Sequence, residues 1–212
     1  MIRLFDYWRS SASYRLRIAL GLAGLSWHSL PVDLTTGQQC DPEHLARNPQ
    51  GLVPVLEIDD LTLTQSLAII EYLDETRGLG LLPGPAANRA RIRAVAHAIA
   101  MDIHPVCNLR VARYAVAQSN GGITMETWMR DMITPGLIAL ENMVDTGNHC
   151  IGQTLTLADI CLVPQIYNAR RWNIDLKNLP NLNRITTFLE NLKPFANAHP
   201  NLTPHQASAG GR

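Results

Sequence analysis

Residues 78–87, Gly-Leu-Gly-Leu-Leu-Pro-Gly-Pro-Ala-Ala, separate two stretches with different hydrophobic periods. Before this segment, short apolar runs alternate with one-sided helical patterns. After it, apolar residues recur only at helical spacing. Gly and Pro at this density suit neither a helix interior nor a strand interior, so the segment is expected to be a linker. The chain is therefore expected to hold an α/β domain over residues 1–80 and an all-helical domain over residues 87–212.

The first domain predicts the order βαβαββα. Ile2 to Phe5 and Trp27 to Val32 read as strands around a helix over Ser13 to Ala23, in which Leu16, Ile18, Ala19, Leu20 and Leu22 are apolar and Arg15 and Arg17 polar. Asp41 to Asn48 reads as a short helix or turn. Val53 to Ile58 and Leu61 to Leu63 read as two strands joined at Asp59-Asp60 by a tight hairpin. Ser66 to Arg77 reads as a helix, its apolar positions Leu67, Ile69, Ile70, Tyr72 and Leu73 set against Glu71, Asp74 and Glu75. In the second domain, helices are expected from Asn88 to near Gln118, from Trp128 to Val144 with a bend at Pro135, onward from Thr156, and from Leu182 to Leu192. Thr156-Leu157-Ala158-Asp159 has the form of a capping box, with Leu155 and Ile160 placed to staple it. The tail from His199 to Arg212 is polar with Gly and Pro and is expected to be loose.

The 18 basic residues balance the 18 acidic ones, leaving zero formal net charge. That balance argues against nucleic acid or an anionic membrane as the main partner. No segment approaches the roughly 20 apolar residues of a membrane span. The first residues lack the apolar core of a secretory signal, so a cytoplasmic location is expected. Cys40, Cys107, Cys150 and Cys161 form no CxxC pair, so no metal site is expected and the thiols should be free and mostly buried.

Three local features carry chemistry. Ser10-Ser11-Ala12-Ser13 forms a hydroxyl-rich loop that feeds a helix. Backbone N–H groups, hydroxyl donors and the positive end of the helix dipole coincide there and suit an anion such as a thiolate; capping alone is the plainer role. Val53-Pro54 stands directly before a strand, where proline is tolerated because it offers no ladder donor. An ordinary trans bond is the commoner state; a cis bond would turn the Val53 backbone toward an extended ligand. Gln65-Ser66 precedes the third helix, where Ser66 can cap that helix, bind a carboxylate, or do both. In a βαβαββα sheet all three features fall along one edge.

The whole chain resembles a glutathione transferase, with a thioredoxin-like N-terminal domain followed by a helical C-terminal domain. More narrowly, Ser10-Ser11-Ala12-Ser13-Tyr14-Arg15-Leu16-Arg17-Ile18-Ala19-Leu20 is similar to the zeta-class signature. So are Gln65-Ser66-Leu67-Ala68-Ile69-Ile70-Glu71-Tyr72-Leu73 and Ala158-Asp159-Ile160-Cys161-Leu162-Val163-Pro164-Gln165. The zeta class includes maleylacetoacetate and maleylpyruvate isomerases. The resemblance covers roughly residues 1–200. It implies that glutathione is the cofactor and that Pro54 is cis, with Val53 pairing to the cysteinyl backbone. It implies that Gln65 and Ser66 hold the γ-glutamyl carboxylate and that Gln39 contacts the glycyl end. His104, Asn108, Leu109 and Arg110 align with a stretch that approaches the same site.

One departure stands out. The zeta pattern usually carries Cys after the paired serines, and here that position is Ala12. No loop thiol can be required, so the sulfur must come from glutathione. Ser10 and Ser11 are then the donors expected to favour the thiolate. The resemblance implies that Arg171 faces the electrophile pocket, where it and Arg9 can serve as cations for a substrate carboxylate at each end; solvated surface charge is the plainer role of both. The activity implied is glutathione-dependent cis–trans isomerisation of a maleyl keto-acid, by reversible addition of the thiolate to the alkene. Maleylpyruvate is favoured over maleylacetoacetate because Ala12 replaces Cys and the chain is compact. Two alternatives use the same scaffold: a transferase that conjugates or dehalogenates small α-halo acids, and a non-enzymatic interaction module. The expected partners are a small dicarboxylate keto-acid and a second copy of the chain in a homodimer.

Overall fold

The computed structural model describes residues 1–203. They form two compact units, one of Met1–Leu79 together with the described residues from Lys193 onward, the other of Gly80–Leu192.

The first unit holds strands β1 (Arg3–Asp6), β2 (His28–Pro31), β3 (Val55–Ile58) and β4 (Leu61–Thr64), and helices α1 (Ser11–Leu22), α2 (Pro42–Arg47) and α3 (Ser66–Arg77). The sheet order is β2-β1-β3-β4. β1 runs parallel to β2 and antiparallel to β3, with Phe5 opposite Val55. β3 runs antiparallel to β4, with Val55 opposite Thr64. This register brings the end of β1, the start of β3 and the end of β4 to one edge. The loop into α1, the Val53-Pro54 dipeptide and the start of α3 therefore share that edge. The β3–β4 hairpin turns through Asp59 and Asp60, both at positive φ, as a type I′ turn requires.

α1 is buried on almost every side, Arg15 and Arg17 included. Both are polar positions of the expected helix. They are sealed because each finds partners distant in sequence: Arg15 donates to Ser66, and Arg17 to Asp6, Trp8 and Ala198. α3 keeps its expected bounds and ends at Gly78, whose left-handed conformation (φ 66°) caps it at a position that suits glycine.

The chain end departs from expectation. α10 (Lys193–Asn197) packs on α1 within the first unit, where a Cβ added at Gly21 would lie 3.4 Å from the Pro194 Cβ, at van der Waals contact. His199 to Thr203 is structured, through a 3₁₀ turn at Pro200–Leu202 with Pro200 and Thr203 buried. The burial of Phe195 and Ala198 outweighs the polar composition of the segment. Residues 204–212 of the expected loose tail lie outside the described residues.

The second unit holds α4 (Ala86–His97), a π-helical turn (Ala98–Ile103), α5 (His104–Val106), α6 (Leu109–Gln118), α7 (Met125–Glu141), α8 (Leu157–Arg171) and α9 (Pro180–Glu190). The expected continuous helix from Asn88 to Gln118 is broken. Pro105 has no N–H to give and crowds the carbonyl four residues back, and the wider π turn lies just before it. Asn108 then adopts extended angles and caps α6 by accepting the Arg110 N–H at 3.0 Å. α7 begins at Met125, ahead of the expected Trp128, because Thr124 and Thr127 exchange side-chain to backbone hydrogen bonds. α9 begins at Pro180, and its Asn181 and Leu182 N–H groups are accepted by the Glu141 carboxylate at the end of α7.

Thr156 is the N-cap of α8. Its N–H and hydroxyl both donate to Asp159 Oδ2, while Asp159 Oδ1 accepts the Cys150 N–H at 2.7 Å. No helix among the described residues is long and apolar enough to cross a membrane.

Candidate active site

The β1–α1 loop sits over the end of β1. Ser10 has extended backbone angles, and its Oγ accepts the Ser13 N–H at 3.2 Å. A serine hydroxyl has two acceptor positions and one proton. Capping uses an acceptor position and leaves the proton to donate elsewhere. Ser11, the first residue of α1, is buried, and its hydroxyl has no hydrogen-bond partner among the described residues. Two hydroxyl donors thus meet the free N–H groups of the first turn of α1, a setting that favours an anion. Trp8 precedes them with its carbonyl held by Arg17. Arg9 is exposed, its guanidinium carbon 4.1 Å from the centre of the Trp8 ring.

The loop before β3 is fixed from behind. His44 Nε2 and Asn48 Nδ2 both lie 2.9 Å from the Leu52 carbonyl oxygen, and Asn48 Oδ1 accepts the Gln50 N–H. The Val53-Pro54 bond is cis. Among the described residues, neither the N–H nor the C=O of Val53 has a hydrogen-bond partner. Gly51 adopts φ 62°, and a Cβ there would lie 3.2 Å from the Gln39 carbonyl oxygen, which places Gln39 against the same loop. Gln39 Oε1 is buried with no partner among the described residues.

At the start of α3, Gln65 adopts φ 67° and ψ 109°, a conformation that costs a non-glycine residue about 1–3 kcal/mol. Its Nε2 donates to Gln50 Oε1 at 2.6 Å. Ser66 is buried, and its Oγ accepts from Arg15 Nη1 at 3.2 Å. The role of Arg15 carries no local signal in sequence.

The edge of the first unit thus gathers Arg9, Ser10, Ser11, Gln39, Val53, Pro54, Gln65 and Ser66. The other expected residues belong to the second unit. His104 opens α5, Asn108 caps α6, and Arg110 is exposed in its first turn. Arg171 ends α8, exposed, with its guanidinium carbon 4.9 Å from the centre of the Trp172 ring. The Trp172 carbonyl accepts from Arg130 Nε at 3.4 Å.

The cysteines supply no nucleophile at this edge. Cys107, Cys150 and Cys161 are buried and Cys40 is exposed. Burial pushes the Cys107 thiol up to about 12. Burial, and then the nearby Asp159 carboxylate, push Cys150 well above the ordinary range. Among the described residues no cluster could hold a metal ion.

A four-stranded thioredoxin-like sheet bearing a hydroxyl loop and a cis-proline, joined in one chain to a helical unit, is the arrangement of the glutathione transferase fold. The family model of the glutathione S-transferase N-terminal domain matches residues 1–75. A maleylacetoacetate isomerase of Rhizobium meliloti (strain 1021) is 56% identical over 202 residues, 93% of this chain and 95% of that protein. The holo structure of a maleylpyruvate isomerase, described as a bacterial glutathione S-transferase of the zeta class, is 38% identical with a TM-score of 0.89, covering 95% of this chain and 98% of that one. A maleylacetoacetate isomerase from Methylobacterium extorquens AM1, solved with malonate and GSH bound, gives the same identity, TM-score and coverage. The chain belongs to the zeta class of the glutathione transferases.

Proposed function

We propose that this chain is a glutathione-dependent cis–trans isomerase of a maleyl keto-acid. The edge described above fits the tripeptide. Val53 offers an unpaired N–H and C=O to an extended backbone, and Gln39 keeps a buried acceptor free beside it. Two hydroxyls converge at the N-terminus of α1. When bound, glutathione supplies a sulfur nucleophile that adds reversibly to the alkene and is returned intact.

The remaining tasks belong to this chain. Ser10, Ser11 and the start of α1 favour the ionised sulfur, which in a free thiol forms only near pH ~8.5. Val53 fixes the cysteinyl backbone, Gln39 the glycyl end, and Gln65 with Ser66 the γ-glutamyl carboxylate. Arg9 and Arg171 each offer a guanidinium to a substrate carboxylate and to negative charge that develops on the keto-acid. His104, Asn108 and Arg110 complete the ligand contacts. A cytoplasmic homodimer is part of the same proposal, on the family resemblance.

The observation that carries this function is the pairing of a hydroxyl-lined helix start with the absence of a thiol at Ala12. An ultraviolet assay of maleylpyruvate and maleylacetoacetate, with and without glutathione, tests it. Turnover should require glutathione and leave its concentration unchanged. Stoichiometric consumption would make the chain a conjugating transferase instead. The Ala12 substitution favours maleylpyruvate, whereas the 56% identical relative bears the name of maleylacetoacetate. The ratio of kcat/KM for the two acids ranks them.

A further inference from the structure

Arg15 is 1% exposed, so its charge is almost wholly withdrawn from water. From the second turn of α1 its Nη1 reaches α3 and donates to Ser66 Oγ at 3.2 Å. A guanidinium can only donate. One acceptor position of Ser66 is therefore committed to Arg15, and the Ser66 proton must be offered to another acceptor. A donor on the oxygen also strengthens the O–H as a donor in turn, because hydrogen bonds in a chain polarise one another.

Ser66 is the first residue of α3, so its hydroxyl lies beside N–H groups that the helix itself cannot satisfy. These groups are donors as well. A primary amide placed there keeps one carbonyl acceptor but sets its N–H donors against donors on the other side, whereas a carboxylate brings only acceptors.

We infer that Arg15 is a positioning residue that directs the Ser66 proton away from itself and strengthens it as a donor, and thereby raises this subsite's preference for a carboxylate over a neutral group. The inference rests on the proposed role of Ser66 toward the γ-glutamyl carboxylate. Arg15 touches neither the sulfur nor the keto-acid in this scheme, so its loss should weaken glutathione binding while leaving turnover at saturating glutathione nearly intact.

The test is calorimetric titration of the full chain with glutathione and with an analogue whose γ-glutamyl carboxylate is a primary carboxamide. The native protein should prefer glutathione by about tenfold or more, the scale of a charge-assisted hydrogen bond. Ser66→Ala should shrink that preference, and Arg15→Gln should reduce it to within about threefold while kcat at saturation changes less than about threefold. A folded Arg15→Gln variant that keeps the native preference overturns the inference. If that variant does not fold, Arg15→Lys replaces it. Its shorter reach should lower the preference, and an unchanged preference overturns the inference. Ser66→Ala separates the two levels. If it leaves glutathione affinity unchanged, the role of Ser66 fails and the role of Arg15 with it. If it weakens binding while Arg15→Gln does not, the role of Arg15 alone fails.

Discussion

Arg17 Nη1 on α1 lies 2.7 Å from Asp6 Oδ2 at the end of β1, and both side chains are almost sealed from water. Ser29 holds the other carboxylate oxygen, and the guanidinium also donates to the carbonyls of Trp8 and Ala198. Asp6→Ala would leave that cation buried without its counter-charge. It should destabilise the fold by about 3–5 kcal/mol, the usual result of breaking a buried pair from one side. Arg17→Met should cost a similar amount. Urea unfolding of both variants and of the double variant checks this, and the double variant should lose less than the sum of the two.

Ser10 and Ser11 should separate stability from chemistry. Ser10→Ala removes a helix cap and should cost about 1 kcal/mol of stability. Ser11→Ala removes a hydroxyl with no partner among the described residues, and its unfolding midpoint should stay close to native. Each should lower kcat/KM by about 10–100-fold, the scale of a hydrogen bond to a charged group. The absorbance of glutathione thiolate bound to each variant, followed against pH, gives the sulfur ionisation directly.

Arg171 is exposed on the last turn of α8 and stacks on Trp172. Removing it should leave the melting temperature nearly unchanged. Arg171→Ala should reduce kcat/KM for the keto-acid about 10–100-fold while the affinity for glutathione stays close to native. Arg171→Lys should recover only part of the loss, since an ammonium cannot grip a carboxylate through two parallel bonds. Steady-state kinetics with each reactant varied in turn gives both numbers.

The cysteines differ sharply in exposure. With its thiol at about 12, Cys107 stays protonated at neutral pH, as does Cys150. Only a thiolate alkylates readily. Iodoacetamide at neutral pH should therefore label Cys40 and leave Cys107, Cys150 and Cys161 unmodified in the folded chain, as peptide mass spectrometry would show. Cys40→Ser should retain native turnover.

Asp145 supplies a pH signature. The Gly152 N–H, and after it Arg91, hold its carboxyl below the ordinary carboxylate value. A carboxyl depressed in the folded state adds stability above its unfolded value and loses it as pH falls through the folded one. The native protein should exceed Asp145→Asn in urea stability at pH ~5 and above, and the gap should close as pH drops below the unfolded value near ~3.9.

Much of this architecture is written locally. Ser66 to Arg77 announces α3 through its apolar period and the glycine that stops it, and Thr156 with Asp159 marks the start of α8. The sheet edge follows from element order, because βαβαββα leaves few ways to place Ser10, Val53 and Ser66 apart. What escaped local inspection depends on partners distant in sequence. The Glu141 carboxylate that starts α9 stands roughly forty positions upstream, beyond any capping pattern. Arg15 and Arg17 have the ordinary look of polar helix positions until Ser66, Asp6 and Ala198 fold onto them. The π turn before His104 reflects Pro105 within an otherwise uninterrupted helical period, where a kink and a π turn leave the same trace.

The packing of α10 on α1 gives the first unit an unusual assembly order. A ribosome delivers the strands and α3 early, but the helix that covers Gly21 and the carbonyl that receives Arg17 emerge only after some hundred and ten further residues of the other unit. Until then the helix that begins at Ser11 has one flank open. A nascent chain stalled after Leu192 should therefore present a loosened ligand edge, and proteolysis near Lys193 in the finished protein should reach a site from which it is far removed in sequence.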